Sequence, residues 1–333
     1  MNVQFVKSAV FPFGAAPAEE RSALRLIELC GRTAYKSEDK ITEDSAKSFV
    51  LMLKSHGHLS VLEHSNIVLR VEPADATAGS SGPLSFHSIL NSLKDRLGFH
   101  RIFPLDDSAG FILTGNFRAW FETLALLKQC EPSIYAFFTA NLNRTFPNLF
   151  EPARENLETM PFRATLLSGQ DQVSFLKQDP SLDFPVFVFR FVCDRGITHE
   201  VVRHRVLSFT QESTRYVNYK NRGMVLILPE ELYPFLDDSS GELKGDEPIV
   251  REWQKRAELI FDWYREDVAR GLRPEIARDI LPNLLKSEIL VSGRFSGWKH
   301  FIGLRESNQA HPRIRFLARE VRKYFEGLGL SCD

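Results

Sequence analysis

Apolar and polar residues follow two different periods along this 333-residue chain, and the periods predict a mixture of helices and strands. Residues 18–36 and 43–55 carry apolar side chains at helical spacing, with Gly31 as an early stop for the first helix. Residues 65–72 alternate as a half-buried strand does, and the Phe- and Val-rich run 184–194 is typical of a buried strand. Both kinds of element are therefore expected within the first 194 residues.

Three helical stretches are predicted after residue 249. Residues 250–270 form a strongly amphipathic pattern, and Pro274 opens a short helix that Pro282 ends. The last helical region covers 296–326. Ahead of these elements, Thr198 is the expected cap of a helix that begins after a turn.

The segment 73–183 is predicted to be a mainly helical insertion or subdomain within a single domain, 1–333. It opens with a turn-and-linker composition at 73–83 and ends in a stretch at 168–183 that lacks a regular period. Between these irregular stretches lie three helical patterns, at 84–97, 117–129 and 132–143.

A short internal echo links this segment to the end of the chain. The sequence LTGNFRAW at 113–120 matches VSGRFSGW at 291–298 in a hydroxyl, a glycine, an aromatic residue and a tryptophan at equal spacing. Common chemistry at helix starts explains such a match as well as a repeat does, and no longer repeat is obvious.

Composition places the chain among globular proteins, with 43% apolar and 26% charged residues. A net charge of −1 argues against bulk electrostatic attachment to nucleic acid or to an anionic membrane. No apolar run reaches the roughly 18 residues that a membrane span requires. The four cysteines form no CxxC pair, so they are expected to be structural in a reducing, cytoplasmic setting: Cys30, Cys130, Cys193 and Cys332.

The run 203–216, RHRVLSFTQESTRY, gathers three arginines, an imidazole and several hydroxyls. It is expected to straddle a helix, a turn and a strand, so that donors from two directions converge on one ligand. Such a composition suits a ligand with phosphates and a polar ring. We expect Ser213 to donate hydrogen bonds rather than act as a nucleophile. The alternative is a surface salt-bridge network with Asp194, Glu200 and Glu212.

Three imidazoles and a carboxylate fall within HGHLSVLEH at 56–64. The spacing fits no standard metal site, and none is predicted. Contact with a ligand ring and an exposed, capped turn both stay open for these residues. Two later arginines, in ARDILP at 277–282 and LRE at 304–306, lie in otherwise apolar helices, and each alone is weak support for a site.

Taken together, these motifs resemble the flavin-dependent thymidylate synthases, the ThyX family. The run 203–216 matches that family's signature, and CGRTAYKSEDKIT at 30–42 agrees with it in order and character, as do the three stretches 56–64, 277–282 and 300–305. The resemblance covers about 1–72 and 184–320. It implies an α+β fold with a central twisted, mainly antiparallel sheet flanked by helices.

The resemblance also implies a reaction and an assembly. In it, dUMP receives a one-carbon unit from 5,10-methylenetetrahydrofolate, and FAD reduced by NADPH supplies the hydride, which gives dTMP and tetrahydrofolate. The enzyme would be a methyltransferase that works as a homotetramer, with residues of several subunits around each flavin. The absence of a convincing cysteine nucleophile agrees with this family.

Site residues carry over from the resemblance position by position. The dUMP contacts would be Glu200, Gln211, Ser213, Arg215, Arg278 and Arg305, of which Arg278 and Arg305 hold and polarise the nucleotide. The flavin contacts would be His58, Ser60, Glu63, Arg203, His204, Arg205, Gln211 and His300.

One departure from the family pattern is serious. The family has Gly-Asn-x-Arg-x-Trp before its late helix, whereas this chain has Arg294 and Ser296 in place of the Asn and the Arg. The missing pattern occurs at 115–120 instead, so we hypothesise that Asn116 and Arg118 take over the flavin contact. The other interpretation is that 113–120 is an ordinary helix start.

Two alternative functions stay open. A flavin-binding relative that acts on another pyrimidine would keep the flavin motif and change the nucleotide contacts, and Gln211, where many members have Glu, is consistent with it. A non-catalytic nucleotide-binding or assembly protein would use the same arginines without a bound flavin.

Overall fold

The computed structural model of the chain describes residues 3–15, 19–74, 100–105, 110–151, 162–214, 219 and 223–333. Its helices are α1 (Glu20–Tyr35), α2 (Ser45–Ser55), α3 (Phe117–Cys130), α4 (Pro132–Thr145), α5 (Gly169–Gln178), α6 (Arg195–Val201), α7 (Pro248–Ala269), α8 (Pro274–Ala277), α9 (Phe295–Arg305) and α10 (Pro312–Gly327). Its strands are β1 (Val3–Val6), β2 (Ala9–Ala15), β3 (Asn66–Pro73), β4 (His100–Pro104), β5 (Phe111–Asn116), β6 (Phe162–Leu166), β7 (Val186–Asp194), β8 (Ser208–Gln211), β9 (Met224–Ile227), β10 (Leu236–Asp237), β11 (Glu242–Leu243) and β12 (Lys286–Arg294).

A four-stranded antiparallel sheet, with the order β2-β7-β12-β8, holds the C-terminal half together. The Phe-rich β7 is a buried strand, as its apolar pattern predicts, and it pairs with β12 from one end to the other. Phe189 packs edge-on against Trp298 of α9 and against Phe325 of α10. Because these rings are fully buried, the two C-terminal helices are fixed against this sheet.

A second four-stranded antiparallel sheet has the order β4-β5-β3-β6. Three of its strands come from the segment 73–183, which also supplies α3, α4 and α5. In its described residues the segment contains more helix than strand, and it contributes most of a sheet that the sequence patterns did not indicate. The predicted helix 84–97 lies outside the described residues.

The two sheets share the same strand plan and the same register. Asn66 faces Asn116 in one sheet where Val186 faces Arg294 in the other, and the match continues through six residue pairs. The outer strands correspond too, since β4 lies beside β5 as β8 lies beside β12, and β6 lies beside β3 as β2 lies beside β7. The internal echo of the sequence therefore belongs to a structural repeat.

Each repeat, β3 to β5 with α3 or β7 to β12 with α9, is preceded in sequence by an edge strand of the other sheet. Strand β2 precedes the first repeat in sequence but pairs with β7, while β6 precedes the second repeat and pairs with β3. Breaking the halves apart would expose both edges. We propose on this ground that 1–333 is one domain, with 73–183 built into it.

Two expected features of helix ends were wrong. Helix α1 continues through Gly31 to Tyr35, and the glycine serves packing instead, because a Cβ there would lie 2.6 Å from the Phe49 ring. Asp194, not Thr198, caps α6, since its Oδ1 accepts a hydrogen bond from the Ile197 N–H at 2.9 Å.

The other two differences concern helix continuity. The stretch 168–183 contains α5, which a reciprocal capping box between Ser168 and Asp171 starts. The last helical region is two helices, with Pro312 at the first position of the second. Within the described ranges, no helix is both long and apolar enough to cross a membrane.

Candidate active site

A cavity of about 550 Å³ lies where the equivalent strand-to-helix corners of the two sheets meet. The corners are defined here as the junction of β5 with α3, at Asn116, and the junction of β12 with α9, at Arg294. Polar groups from both line the cavity, which favours a ligand with polar atoms. The lining residues are Glu63, Asn66, His100, Arg101, Asn116, Val186, Val206, Ser208, Ser292, Gly293, Arg294, Ser296, Gly297 and His300.

Glu63 connects three separate motifs at this cavity. Its Oε1 accepts a hydrogen bond from Arg118 Nη1 at 2.9 Å, and its Oε2 accepts one from the Ser208 hydroxyl at 3.0 Å. Arg118 also bonds Glu122 through Nε at 2.9 Å. The histidine-rich segment, the start of α3 and the arginine-rich run thus meet around one carboxylate, although they are far apart in sequence.

Asn116 has a second role at the first corner. Its side-chain oxygen accepts a hydrogen bond from the Ala119 N–H at 2.8 Å, so it caps α3. Arg294 occupies the equivalent position before α9 and makes no side-chain cap. Asn116 thus satisfies a backbone N–H of the helix that follows it, whereas Arg294 leaves its guanidinium available to the cavity.

Arg305 is held by α6 and the following turn. Its Nη1 and Nη2 donate to the carboxylate and the backbone carbonyl of Glu200, at 2.7 and 3.1 Å, and its Nε donates to His204 Nε2 at 2.9 Å. Burial, Arg305 and His300 together lower the pKa of His204 to about 4. A neutral His204 accepts from the guanidinium, and its ring lies 5.9 Å from the His300 ring at the cavity wall.

Arg278 belongs to a different, smaller pocket of about 150 Å³, which Arg195 also lines. Its Nη1 donates to the Thr214 hydroxyl at 2.7 Å. Arg215, the neighbouring residue of the signature, lies outside the described residues. Within one chain, Arg278 and Arg305 therefore occupy two separate places, which the sequence did not indicate.

The Gln211 side chain is turned toward structural partners, and the Ser213 backbone is bonded to α1. The Gln211 amide nitrogen donates to Thr198 at 2.9 Å and to Ser287 at 3.2 Å. The Ser213 N–H donates to the Ala34 carbonyl at 2.9 Å, which joins this turn to α1.

Four of the expected flavin contacts are exposed and do not line the cavity: His58, Ser60, Arg203 and Arg205. The His58 ring lies 3.5 Å from the Tyr35 hydroxyl. The alternative of a salt-bridge network is not what the described residues form, since Asp194 pairs with Arg313, Glu200 with Arg305, and Glu212 with Lys36 and Lys286.

The imidazoles of 56–64 do not converge. His64 is fully buried between the Ser292 and Thr210 hydroxyls, at 3.0 and 2.8 Å, and burial lowers its pKa to about 4. In the part of the chain that the structure describes, no three His, Cys, Asp or Glu side chains are grouped as a metal site would require. His64 instead links the histidine-rich segment to the β12–β8 pair.

The cavity also contains residues that sequence reasoning missed. His100, Arg101 and Asn66 line it from β4 and β3, and no local motif marks them. The echo between 113–120 and 291–298 was the signal that could have found this wall, because it predicts two equivalent corners. Burial raises the pKa of the Cys30 and Cys193 thiols, so neither is an activated nucleophile.

Comparison with known proteins finds a family match over much of the C-terminal half of the chain. Residues 176–328 match the Thy1 family model, described as thymidylate synthase complementing protein. The flavin-dependent thymidylate synthase of Pyrococcus abyssi is 34% identical over 140 residues, which are 41% of this chain and 53% of the relative. That of Geobacter sulfurreducens is 29% identical over 176 residues, 53% of this chain and 69% of the relative.

A solved structure, the UMP/dUMP methylase PolB of Streptomyces cacaoi bound with 5-Br UMP, is similar with a TM-score of 0.37 and 20% identity. That match covers 49% of this chain and 79% of the other. The chain spans about half the length of the archaeal relatives that it matches. Residues 176–328 are thus similar to the Thy1 family, and the curated relatives that the chain matches are flavin-dependent thymidylate synthases.

Proposed function

We propose that this protein is an FAD- and NADPH-dependent thymidylate synthase that converts dUMP and 5,10-methylenetetrahydrofolate to dTMP and tetrahydrofolate. The observation that carries the proposal is the linked trio Arg118–Glu63–Ser208 at the wall of the cavity. It joins two motifs through which the sequence resembles the family, 56–64 and 203–216, to the Gly-Asn-x-Arg-x-Trp pattern at 115–120.

The cavity residues fit a flavin nucleotide. Asn116, His300 and the buried His100 present amide and imidazole groups, and His100 Nε2 has no hydrogen-bond partner among the described residues. An aromatic ring system with carbonyl and nitrogen acceptors would satisfy such groups. When bound and reduced, the flavin supplies the hydride of the reaction.

Arg305 would stabilise negative charge on the nucleotide. A guanidinium cannot lose its proton near neutral pH, so its use is to hold an anion or a polarised carbonyl. Glu200 and His204 fix its orientation before a substrate arrives, which removes the reorganisation that a free arginine would require. Arg278, whose Nη1 is bonded to Thr214, would hold dUMP from the second pocket.

We propose a homotetramer as the active assembly, as the resemblance implies. Arg278 lines the smaller pocket, whereas Arg305 is held by Glu200 and His204 outside it, and a neighbouring copy would complete the set of arginines around one nucleotide. NADPH and the folate would enter as co-substrates. We propose a cytoplasmic location, which is consistent with four free cysteines.

The direct test combines purified protein with dUMP, NADPH, FAD and 5,10-methylenetetrahydrofolate and measures dTMP. We expect product from the native chain and its loss in Arg278→Ala. The matched control is Arg273→Ala, five residues away, where the arginine is 74% exposed and pairs only with Glu275 among the described residues. If the native protein forms dTMP and Arg278→Ala forms the same amount, the site assignment is rejected.

The same assay separates the alternatives. A flavin-binding relative for another pyrimidine is expected to take up FAD and leave dUMP unchanged. Its sequence basis is Gln211, whose amide bonds Thr198 and Ser287. A non-catalytic nucleotide-binding protein is expected to take up no flavin at all.

A further inference from the structure

We propose that Arg101 and Arg294, one from each structural repeat, form a binding site for a diphosphate group in the cavity between the two corners. The inference rests on the proposed function, because it names the part of a dinucleotide cofactor that this cavity wall would hold. Arg101 belongs to no motif through which the sequence resembles the family, and Arg294 stands where the late motif of that family has Asn.

The first ground is the position of the two guanidiniums. Arg101 extends from β4 and Arg294 from the end of β12, and both line the same cavity. Within the described part of the chain, neither makes an ion pair or a side-chain hydrogen bond. Surface arginines usually contact solvent, but Arg294 is only partly exposed and faces a polar hollow.

The second ground is electrostatic. Burial and the charge of Arg101 lower the pKa of Arg294 to about 10, while Asp183 opposes that change. The two guanidiniums are therefore close enough to repel one another, and a ligand with two negative charges would relieve that repulsion. Asp183 is partly engaged elsewhere, because its Oδ1 accepts from the Ser296 N–H at 3.2 Å.

The third ground is a buried donor beside them. His100 is only 4% exposed, its ring lies against Gly115, and its Nε2 has no partner among the described residues. Burial lowers its pKa to about 4, so the ring is neutral at working pH. A neutral imidazole that donates through Nε2 would complete an anion site without adding charge.

The repeat explains why the site occurs once per chain. At the first corner Asn116 uses its side chain to cap α3, whereas Arg294 at the equivalent position makes no cap. Arg101 of β4 faces Thr114, and at the equivalent place in the second repeat Ser208 of β8 faces Ser292. The two arginines therefore come from non-equivalent positions, and one diphosphate is expected for each chain.

Calorimetric titration tests the site with five probes: FAD, riboflavin, ADP, pyrophosphate and inorganic phosphate. The variants are Arg101→Gln and Arg294→Asn, with Arg144→Gln, an exposed arginine of α4, as the control. We expect each site variant to weaken FAD, ADP and pyrophosphate by about tenfold to a hundredfold and to leave riboflavin unchanged. Inorganic phosphate is expected to bind more weakly than pyrophosphate.

Arg294→Asn also guards against a folding artefact. It copies the residue of the first corner, so it should cap α9 and give a melting temperature no lower than that of the native chain. Loss of ADP binding in a variant at least as stable as the native protein is then a loss of the site. Equal loss of riboflavin and FAD would overturn the inference, and so would inorganic phosphate bound as tightly as pyrophosphate.

The outcomes separate this inference from the proposed function. Unchanged FAD affinity in both variants would reject the diphosphate site and leave the flavin function standing. Pyrophosphate that binds through both arginines, in a chain that takes up no flavin, would support the site and reject the function. A native chain that binds none of the five probes would reject both.

Discussion

The two strand-to-helix corners of this protein share one backbone plan and carry different chemistry. At the first, Asn116 caps α3 and Arg118 holds Glu63, so its polar groups are largely engaged. At the second, Arg294 makes no cap, and α9 goes on to place His300 and Arg305. The difference indicates separate roles: the bonded side chains of the first corner form the wall of the cavity, and the second corner presents the guanidinium of Arg294 to it.

Even the residues packed on the two equivalent glycines differ. A Cβ on Gly115 would meet the His100 ring at 2.5 Å, and a Cβ on Gly293 would meet Leu207 at 2.1 Å. Both glycines are thus required for close packing of a side chain from the neighbouring β4 or the turn before β8. A polar ring occupies this place in one repeat and an aliphatic side chain occupies it in the other.

The largest effect is expected at the second corner. Arg305→Ala removes a preorganised guanidinium and leaves Glu200 and His204 without their shared donor. We expect kcat to fall by at least about a hundredfold, as for the loss of an anion-stabilising donor in other enzymes. Steady-state dTMP formation with saturating FAD measures it. A change of less than threefold would show that this corner is not where charge develops.

A pH experiment sharpens the comparison at the first corner. Burial lowers the pKa of His100 to about 4, below its ordinary 6.5. The contribution of the neutral ring to the free energy of unfolding is therefore present above pH 6.5. It is lost as the pH falls toward 4, because the unfolded chain takes up the proton first. His100→Leu copies the second corner and removes that dependence. We expect the drop in unfolding free energy between pH 7 and 5 to shrink by about 2 kcal/mol.

Chemical denaturation of native protein and variant at both pH values measures this difference. His64 and His204, whose pKa values are also lowered to about 4, keep part of the acid sensitivity in the variant. An unchanged difference between the two pH values would mean that His100 is already charged or already solvated in the folded state.

A smaller effect is expected when the first corner loses its charge. Arg118→Ala leaves Glu63 with Ser208 alone, and the cavity wall loses its ion pair. We expect FAD to bind about tenfold more weakly, the size of one charge-assisted hydrogen bond. Flavin retained after gel filtration measures it, with Arg70→Ala as the control because that arginine pairs with Glu72 on β3. Flavin occupancy equal to that of the control would favour an ordinary helix start at 113–120.

The smallest effect compares the two caps directly. Asn116→Ala removes the acceptor for the Ala119 N–H and should lower the unfolding free energy by about 1 kcal/mol. Arg294→Ala removes no cap and should change it by less than about 0.5 kcal/mol. Urea unfolding at pH 7 distinguishes them. Equal losses of unfolding free energy would mean that Asn116 and Arg294 stabilise the fold to the same extent.

Much of the fold could be predicted because its elements are strongly periodic. The bounds of α2, β3 and β7 lie within about two residues of the sequence expectation. The missed helix α5 begins at a capping box in a segment rich in Asp, Gln and Ser, whose polar composition hides its apolar face. The sheet formed by β3 to β6 was missed because strand pairing over long sequence distances leaves no local pattern.

The site shows the same limit. Glu63, Asn116, Arg118 and His300 were named from sequence, and the structure brings them to one cavity or to its wall. His100 and Arg101 could not be found in this way, because a histidine and an arginine at a strand start have no distinguishing spacing. Register alone places β4, and with it these two residues, beside the Gly-Asn corner.

The central claim is that the cavity between the two corners holds the flavin, and the most direct measurement is a crystal structure of the chain grown with FAD. We predict flavin density that contacts Asn116 and His300, with its diphosphate against Arg101 and Arg294. Flavin bound elsewhere, with this cavity filled by water, would contradict the claim.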